Sequence, residues 1–367
     1  MVIALASRSM VNKGLSIEKR VSQWAFGLAG VRIPSPAPEC VQELNGMKAT
    51  AVAHPIQGLI KYHGLKDVRL RLPFHDSISV CIDSLHTTTT VEVTESLKQD
   101  CIVINGRKTI GFDLERVETV LSKLRSMSGY PGYFKVVSQN NVLSGKGLGF
   151  SASGFAALGE AACAALRLDV DYVSLSEVVR LGAGSATRSL AGSFAIWYAN
   201  KHGKSYAEPI VAPNEVDFGM VIVPISSAIK TDEAHYEVVS SPLFKARLRY
   251  VKKMVNAMKE AINSGDLATV GRLAEEDTLN LHASTMTGRA HLVLWEPETV
   301  YIIKEVQKIR HDGIPAWYSM DTGPSVFVNT HKDYTEIVAD RLQHLGYSNI
   351  MTSKVGGKPF LTNKHLF

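Results

Sequence analysis

The sequence predicts an α+β protein, a mixed α/β chain in two lobes. Strand-like and helical patterns alternate, several strands follow one another as meanders, and the helical stretches carry apolar residues at a spacing that marks one buried face. A chain of 367 residues has the length for a large core and for two lobes. At 45% hydrophobic and 20% charged residues, its composition is that of an ordinary soluble globular protein.

The stretch Pro34-Ser35-Pro36-Ala37-Pro38 reads as a linker, so residues 1–48 form an N-terminal extension and the body begins near Lys48. The first 35 residues carry Arg8, Lys13, Lys19, Arg20 and Arg32 against Glu18, the bias of an organelle transit peptide or of a basic surface extension. Residues 49–212 are expected to form the first domain. Thr50 to Glu95 is strand-like, with Ser77–Ile82 and Thr87–Val93 rich in β-branched residues. Ile102-Val103-Ile104 meeting Asn105-Gly106 signals a hairpin. Phe112–Met127 reads as a helix with Leu114, Val117, Val120, Leu121 and Leu124 on one face. Gly154–Leu166 is an alanine-rich buried helix, and Ser174–Arg180 starts another, with Ser174 and Glu177 spaced as a capping box. Phe218–Ile225 is a short strand expected to open the second domain, residues 213–367. Helical patterns follow at Pro242–Asn263, Leu267–His282 and Glu298–His311, then a strand about Asp321–Val328 and a helix Tyr334–Leu345.

A formal charge of +5 and a pI near 8.9 favour an anionic ligand. The Lys and Arg residues are scattered, with no RNA-reading motif or basic tract, which argues against nucleic acid as a partner. No apolar run reaches the roughly 18 residues that span a bilayer. Cys40, Cys81, Cys101 and Cys163 lack metal-site or redox spacing and read as reduced, mostly buried residues of a cytoplasmic protein.

Three charged residues stand in otherwise apolar or glycine-rich surroundings. Lys61 follows Gly58-Leu59-Ile60, Arg188 follows Gly182-Ala183-Gly184-Ser185, and Asp321 separates Ala316–Met320 from Thr322-Gly323-Pro324. Burying a charge costs on the order of several kcal/mol unless it is paired. Two cations and one anion at such positions make sense if they converge on an anionic substrate.

The segment Leu143-Ser144-Gly145-Lys146-Gly147-Leu148-Gly149-Phe150-Ser151-Ala152-Ser153 runs into the alanine-rich helix. Glycines let such a loop turn its N–H groups inward, and the helix start attracts phosphate. Lys146, Gly147, Gly149, Ser151, Ala152 and Ser153 are therefore phosphate-binding candidates. It is not a Walker A loop, because no Gly-Lys-Ser/Thr follows the required spacer. Gly182 to Arg188 is a second segment of this kind, and two anion-suited helix starts suggest two phosphates, or a nucleotide beside a phosphorylated substrate.

These residues bring a family into view. Ala53-His54-Pro55-Ile56-Gln57-Gly58-Leu59-Ile60-Lys61-Tyr62-His63-Gly64, with Leu72-Pro73 and Ser77-Ile78-Ser79-Val80, resembles the amino-terminal signature of mevalonate diphosphate decarboxylases. Gly147 to Leu158 resembles their phosphate loop and helix, Gly184 to Leu190 their arginine segment, and Asp321-Thr322-Gly323-Pro324 their catalytic aspartate segment. Asp277, Asn280 and His282 fall in a stretch similar to the family's Asp-Ser-Asn-x-x-His region. The resemblance implies the two-lobed fold of the GHMP kinase superfamily, with a ribosomal-protein-S5-domain-2-like first lobe, a ferredoxin-like second lobe and the site between them. It implies catalytic roles for Lys61, Arg188 and Asp321, with Tyr62, Ser185 and Ser151 as direct substrate donors, His75 as a weaker candidate, and His282 as packing support.

The departures from the family carry chemical meaning. Leu65 stands where these enzymes place a lysine near the distal phosphates, and Ala183 where they carry a serine. Both losses suggest a 5-monophosphate. Phe150 replaces the first serine of the usual Ser-Ser-Ala, and Phe74-His75-Asp76 the usual Thr-Asn-Ser. The expectation drawn from these is an archaeal-type decarboxylase that converts mevalonate 3,5-bisphosphate to isopentenyl phosphate, carbon dioxide and phosphate without ATP, metal or other cofactor. The alternatives are an ATP-Mg-dependent decarboxylase of mevalonate 5-phosphate or 5-diphosphate, and a non-catalytic binder of phosphorylated isoprenoid precursors. The expected partner is the small phosphorylated substrate, with the extension leaving room for a homodimer contact.

Overall fold

In a computed structural model, residues 47–142, 147–213, 217–226, 231–347 and 349–367 are described. The chain enters on β1 (Lys48–Ala53) and β2 (Ile56–Ile60), makes a small hairpin of β3 (Leu65–Asp67) and β4 (Leu72–Pro73), and continues as β5 (Ser77–Cys81) and β6 (Thr87–Thr94). β7 (Cys101–Ile104) and β8 (Arg107–Lys108) flank Asn105-Gly106, both at positive φ, the geometry that favours this dipeptide in a tight hairpin. Then come α1 (Gly111–Ser128), β9 (Tyr133–Asn140), α2 (Phe150–Ala165), α3 (Tyr172–Gly182), α4 (Ala186–Ala191), β10 (Phe194–Trp197) and β11 (Ala207–Pro209). The second half holds β12 (Gly219–Val223), α5 (Thr231–Glu237), α6 (Phe244–Ser264), α7 (Leu267–Met286), α8 (Pro297–His311), β13 (Ala316–Ser319), β14 (Val326–Thr330), α9 (Thr335–Gln343), β15 (Met351–Lys354) and β16 (Phe360–Thr362).

These strands form sheets of order β16-β1-β6-β9-β7-β8, β11-β10-β5-β2 and β13-β14-β12-β15, besides the β3-β4 hairpin. All pairings are antiparallel except β7 with β9. The fold class is α+β, as expected. α2 lies on the first sheet with α1 and α3 around one apolar core, where Val117, Val120, Leu121 and Leu124 of α1 meet the alanines of α2. A second core joins β2, β5 and β10 to α6, α7 and β12, so it spans both halves of the chain. Asn45–Phe367 make one compact unit. β2, buried along its whole length, is the strand on which the site is built.

Two local expectations are corrected. The cap of α3 is Asp171, whose side chain accepts from the Ser174 N–H at 3.0 Å, so Ser174 lies inside the first turn and the Ser174–Glu177 capping box does not form. Asp321 is not in a strand: β13 ends at Ser319 and β14 begins at Val326, leaving Asp321 in the connecting loop. Glycine and proline at positions 323 and 324 interrupt the ladder there. Of the four cysteines, Cys81 and Cys163 are buried, Cys101 half-buried, and all three are free thiols; Cys40 lies outside the described residues.

Candidate functional site

The pairing of β2 with β5 slips between Gly58 and Ile60, and this irregularity carries the chain into Lys61. The Gly58 N–H donates to Asp321 Oδ1 at 2.9 Å, while Ser319 Oγ donates to the Gly58 carbonyl at 3.2 Å. A Cβ at residue 58 would sit 2.7 Å from Asp321 Oδ1 and 2.7 Å from Lys61 Cγ. The absence of a side chain is what lets a lysine and an aspartate from distant parts of the chain meet over one strand.

Lys61 is 3% exposed. Its Nζ faces the carbonyls of Ala274 at 3.3 Å and Leu59 at 3.5 Å, and Asp277 Oδ2 at 3.8 Å. Burial pushes the ammonium down from its ordinary range; Asp277 and Asp321 oppose that shift and Arg247 adds to it. Asp321 keeps part of its surface accessible. Desolvation pushes its carboxyl up, opposed by Lys61, the Gly58 N–H and Arg188. The pair is thus poised so that neither charge is fully neutralised by the resting protein. His282 Nε2 donates to the Asp321 main-chain carbonyl at 3.1 Å, and burial lowers this imidazole to about 3, so it is a neutral donor at neutral pH. Expected to support packing, His282 packs on Trp295 and also holds the aspartate loop.

Arg188 is 2% exposed on α4, a helix buried on every side. Its Nη1 donates to Ser77 Oγ at 2.7 Å, its guanidinium lies 5.4 Å from the Tyr62 ring and 5.7 Å from the Trp197 ring, and its Nε has no partner. Burial lowers its pKa, opposed by Tyr62 and Asp321. The field of Asp321 therefore bears on both cations, and the three charges singled out in the sequence share one region. Ser77→Ala will remove the Arg188 anchor but not its charge. We expect the Michaelis constant for the phosphorylated substrate to rise by roughly tenfold, with kcat changed less, in steady-state assays.

The described end of the glycine loop meets the loop that carries Asp321. Gly147 and Gly323 face each other, each Cα about 3.5 Å from where the other's Cβ would be. Gly149, at φ 74, caps α2 with no side-chain hydrogen bond, the arrangement that leaves helix-start N–H groups for an anion. Ser151 is exposed in the first turn. Ser153 and Ala152 are turned inward. Ser153 is fully buried, its hydroxyl 2.6 Å from Thr87 Oγ1 and donated to the Phe150 carbonyl at 3.2 Å; Ala152 is buried and its N–H is donated to the Gly149 carbonyl. Both face the sheet because they lie on the inward stripe of α2. Lys146 lies outside the described residues.

The second glycine segment packs closely against its neighbours. α4 is one short turn-and-a-half, and a Cβ on Gly184 would lie 2.6 Å from the Trp197 ring. Ser185 is half-buried before that helix, with no side-chain cap bond. Tyr62 stacks on His235 with centroids 4.5 Å apart and meets Trp197 edge-on at 5.0 Å. His75 is buried; its Nδ1 donates to the Asp76 carbonyl at 2.8 Å, its Nε2 has no partner, and burial followed by Arg247 lowers it to about 4. It therefore offers a lone pair, not a positive charge, at neutral pH.

Sequence reasoning missed Gly58, Ser77 and Arg247 as site residues and gave Asp277 no role. Arg247 had a readable signal, since it falls on the apolar face of α6 with Phe244, Val251, Val255 and Met258. Among the described residues no group of three or more His, Cys, Asp or Glu is placed to hold a metal ion, and no helix is long and apolar enough to cross a membrane.

Comparison with known proteins gives matches along both halves of the chain. Residues 53–207 match the diphosphomevalonate decarboxylase-like N-terminal domain, and residues 229–362 the mevalonate 5-diphosphate decarboxylase C-terminal domain. The chain is 38% identical over 302 residues to a phosphomevalonate decarboxylase of Haloferax volcanii, covering 82% of this chain and 93% of that one. It is 31% identical to a diphosphomevalonate decarboxylase of Candida albicans, over 83% and 89% of the two chains. The mevalonate diphosphate decarboxylase of Staphylococcus aureus superposes with a TM-score of 0.83 at 29% identity, covering 87% of this chain and 98% of that one. That of Enterococcus faecalis, described by a mevalonate diphosphate mediated ATP binding mechanism, gives 0.81 at 30% identity, over 87% and 100%. With Lys61 and Asp321 brought together over a glycine, Arg188 in the same region and these matches along both halves, the chain belongs to the diphosphomevalonate decarboxylase family of the GHMP kinase superfamily and is a carboxy-lyase of the mevalonate pathway.

Proposed function

We propose that this enzyme decarboxylates mevalonate 5-phosphate to isopentenyl phosphate, phosphorylating the 3-hydroxyl with ATP in the same cleft. The observation that carries the choice of a monophosphate is the closure of the region after Gly64. There, Phe74 and Phe244 pack edge-to-face with centroids 5.1 Å apart, and both rings come within 3.3 Å of where a Gly64 Cβ would be. Leu65 is buried beside them, at the position where the diphosphate enzymes usually place a lysine. Two phenyl rings and a leucine replace charge that a distal phosphate needs. The 38% identity to a phosphomevalonate decarboxylase supports the same reading.

The expectation of a substrate already phosphorylated at C3 draws on Phe150, an aromatic ring where the family has a serine hydroxyl. Phe150 is half-buried and packs against the core cluster that includes Leu148, which supports a helix start still able to receive a nucleotide phosphate. In the proposed sequence Asp321 takes the 3-hydroxyl proton as the oxygen attacks the γ-phosphorus and ADP leaves. The C1–C2 bond then breaks, releasing carbon dioxide; its electrons form the C2–C3 alkene, and the C3–O bond breaks to release phosphate. Lys61 faces the departing phosphate, Asp321 the positive character at C3, and Arg188 holds the substrate's anionic groups in register. Magnesium on the nucleotide supplies shielding of phosphate charge.

The full chain is to be incubated with mevalonate 5-phosphate, 5-diphosphate and 3,5-bisphosphate, each with and without ATP-Mg, while carbon dioxide and ADP are followed. We expect the 5-phosphate to turn over with ATP and the diphosphate to react about 100-fold less efficiently, the scale set by one missing charged contact. Decarboxylation of the bisphosphate alone, with the 5-phosphate inert in the presence of ATP, would reinstate the ATP-independent reading. No turnover of any of the three, with or without ATP-Mg, would overturn the proposal.

A further inference from the structure

We infer that Arg247 is the positioning residue for Lys61: it clasps the lysine's main chain and shares Asp277, leaving the Lys61 ammonium for the substrate. The inference rests on the proposed catalytic role of Lys61. α6 is strongly basic, yet Lys245, Arg249, Lys252 and Lys253 are exposed whereas Arg247 is 1% exposed, between Phe244 and Val251 on the apolar face. Burying a guanidinium is costly unless it is well paired, and an apolar residue would fill that position more cheaply. Of the hydrogen bonds the structure gives Arg247, one goes to Lys61, one to the aspartate that Lys61 also meets and one to Asn280, while its Nε has no partner. Nη2 donates to the Lys61 carbonyl at 2.8 Å, and Nη1 to Asp277 Oδ1 at 3.2 Å and Asn280 Oδ1 at 2.8 Å.

Asp277, fully buried on α7, completes the clasp from the opposite side. Its Oδ2 accepts from the Lys61 N–H at 2.8 Å and lies 3.8 Å from Lys61 Nζ. Both peptide groups of Lys61 are thus fixed by side chains of two different helices. Because Asp277 divides its charge between Arg247 and Lys61, the lysine is not neutralised by its resting partner. The other charged or titratable groups bearing on Lys61 are Asp321 from the β13–β14 loop and His282 from α7.

The test compares pH profiles of kcat. Lys61 acts protonated, so activity falls as pH rises through its pKa. Arg247 pushes that pKa down and Asp277 pushes it up. Arg247→Met will therefore move the alkaline limb upward by about one pH unit, and Asp277→Asn will move it downward. Arg247→Met will also lower kcat by about 100-fold through loss of register, with the Michaelis constant for ATP within about twofold of wild type. Arg247→Lys, which keeps the charge but cannot span both partners, will leave the limb in place and recover part of kcat. A purely packing role would move neither limb. An unmoved limb in Arg247→Met, or in the near-isosteric Asp277→Asn should the first variant fail to fold, overturns the inference. Full activity in Lys61→Met would instead overturn the role of Lys61 itself.

Discussion

In the proposed reaction, Asp321→Asn will lower kcat by about 10⁴-fold, the combined scale of a general base and of electrostatic stabilisation at the reacting carbon. The substitution is conservative in shape. An amide oxygen can still accept from the Gly58 N–H, now 2.9 Å from the carboxylate, and the His282 bond goes to the main chain of residue 321 and is untouched. What disappears is the negative charge and the proton acceptor. Removing a negative charge from a cleft that receives an anionic substrate does not weaken binding, so the Michaelis constant will stay level or fall. The pH profile gives a second readout. Desolvation raises the Asp321 carboxyl above its usual range against the pull of Lys61, and the reaction needs the ionised form. Wild-type activity therefore declines as pH falls through that raised value, and the residual activity of the variant will lack this acid limb. A variant within tenfold of wild type, or one that retains the limb, would remove Asp321 from the mechanism.

Gly58→Ala is expected to have the next largest effect, about a 10³-fold loss in kcat/KM, although it adds one methyl group and no charge. The new Cβ would lie 2.7 Å from both Lys61 Cγ and Asp321 Oδ1, closer than carbon and its neighbours tolerate, so both side chains must move. A misplacement of about 1 Å can cost about 100-fold at a reacting centre, and here two groups shift together. Replacing glycine by alanine also restricts the unfolded chain, which stabilises by roughly 0.4–1 kcal/mol where the backbone is compatible. Gly58 does not lie at positive φ, so that gain offsets part of the clash. Thermal melts should show a Tm within a few degrees of wild type beside the collapsed activity. An active variant would mean that Lys61 and Asp321 need not approach over this strand.

Much of the architecture was legible because it depends on local periodicity. The inward face of α1, the start of α7, the end of α8, and the Asn105-Gly106 hairpin follow from residue spacing and from the few conformations each turn allows. The errors lie where a local signal had two solutions. Ser174 and Asp171 are both good caps, and the one that won lies three residues earlier. Asp321 was placed in a strand because apolar residues on both sides imitate a continuous run.

By itself the sequence determined the longer helices, the first hairpin signals, the glycine-rich start of α2 and the set of three charges that had to be accounted for. These are properties of neighbouring residues, whose spacing and chemistry are visible without the fold. Tertiary structure decided which partners those charges received, that Ser151 faces outward while Ser153 ties α2 to the sheet, and that Phe74 and Phe244 close the space beyond Gly64. The reason is distance along the chain. Gly58 and Asp321 are 263 residues apart and Arg247 and Lys61 are 186 apart, and contacts of that range are set by how whole sheets and helices pack, which no local pattern encodes.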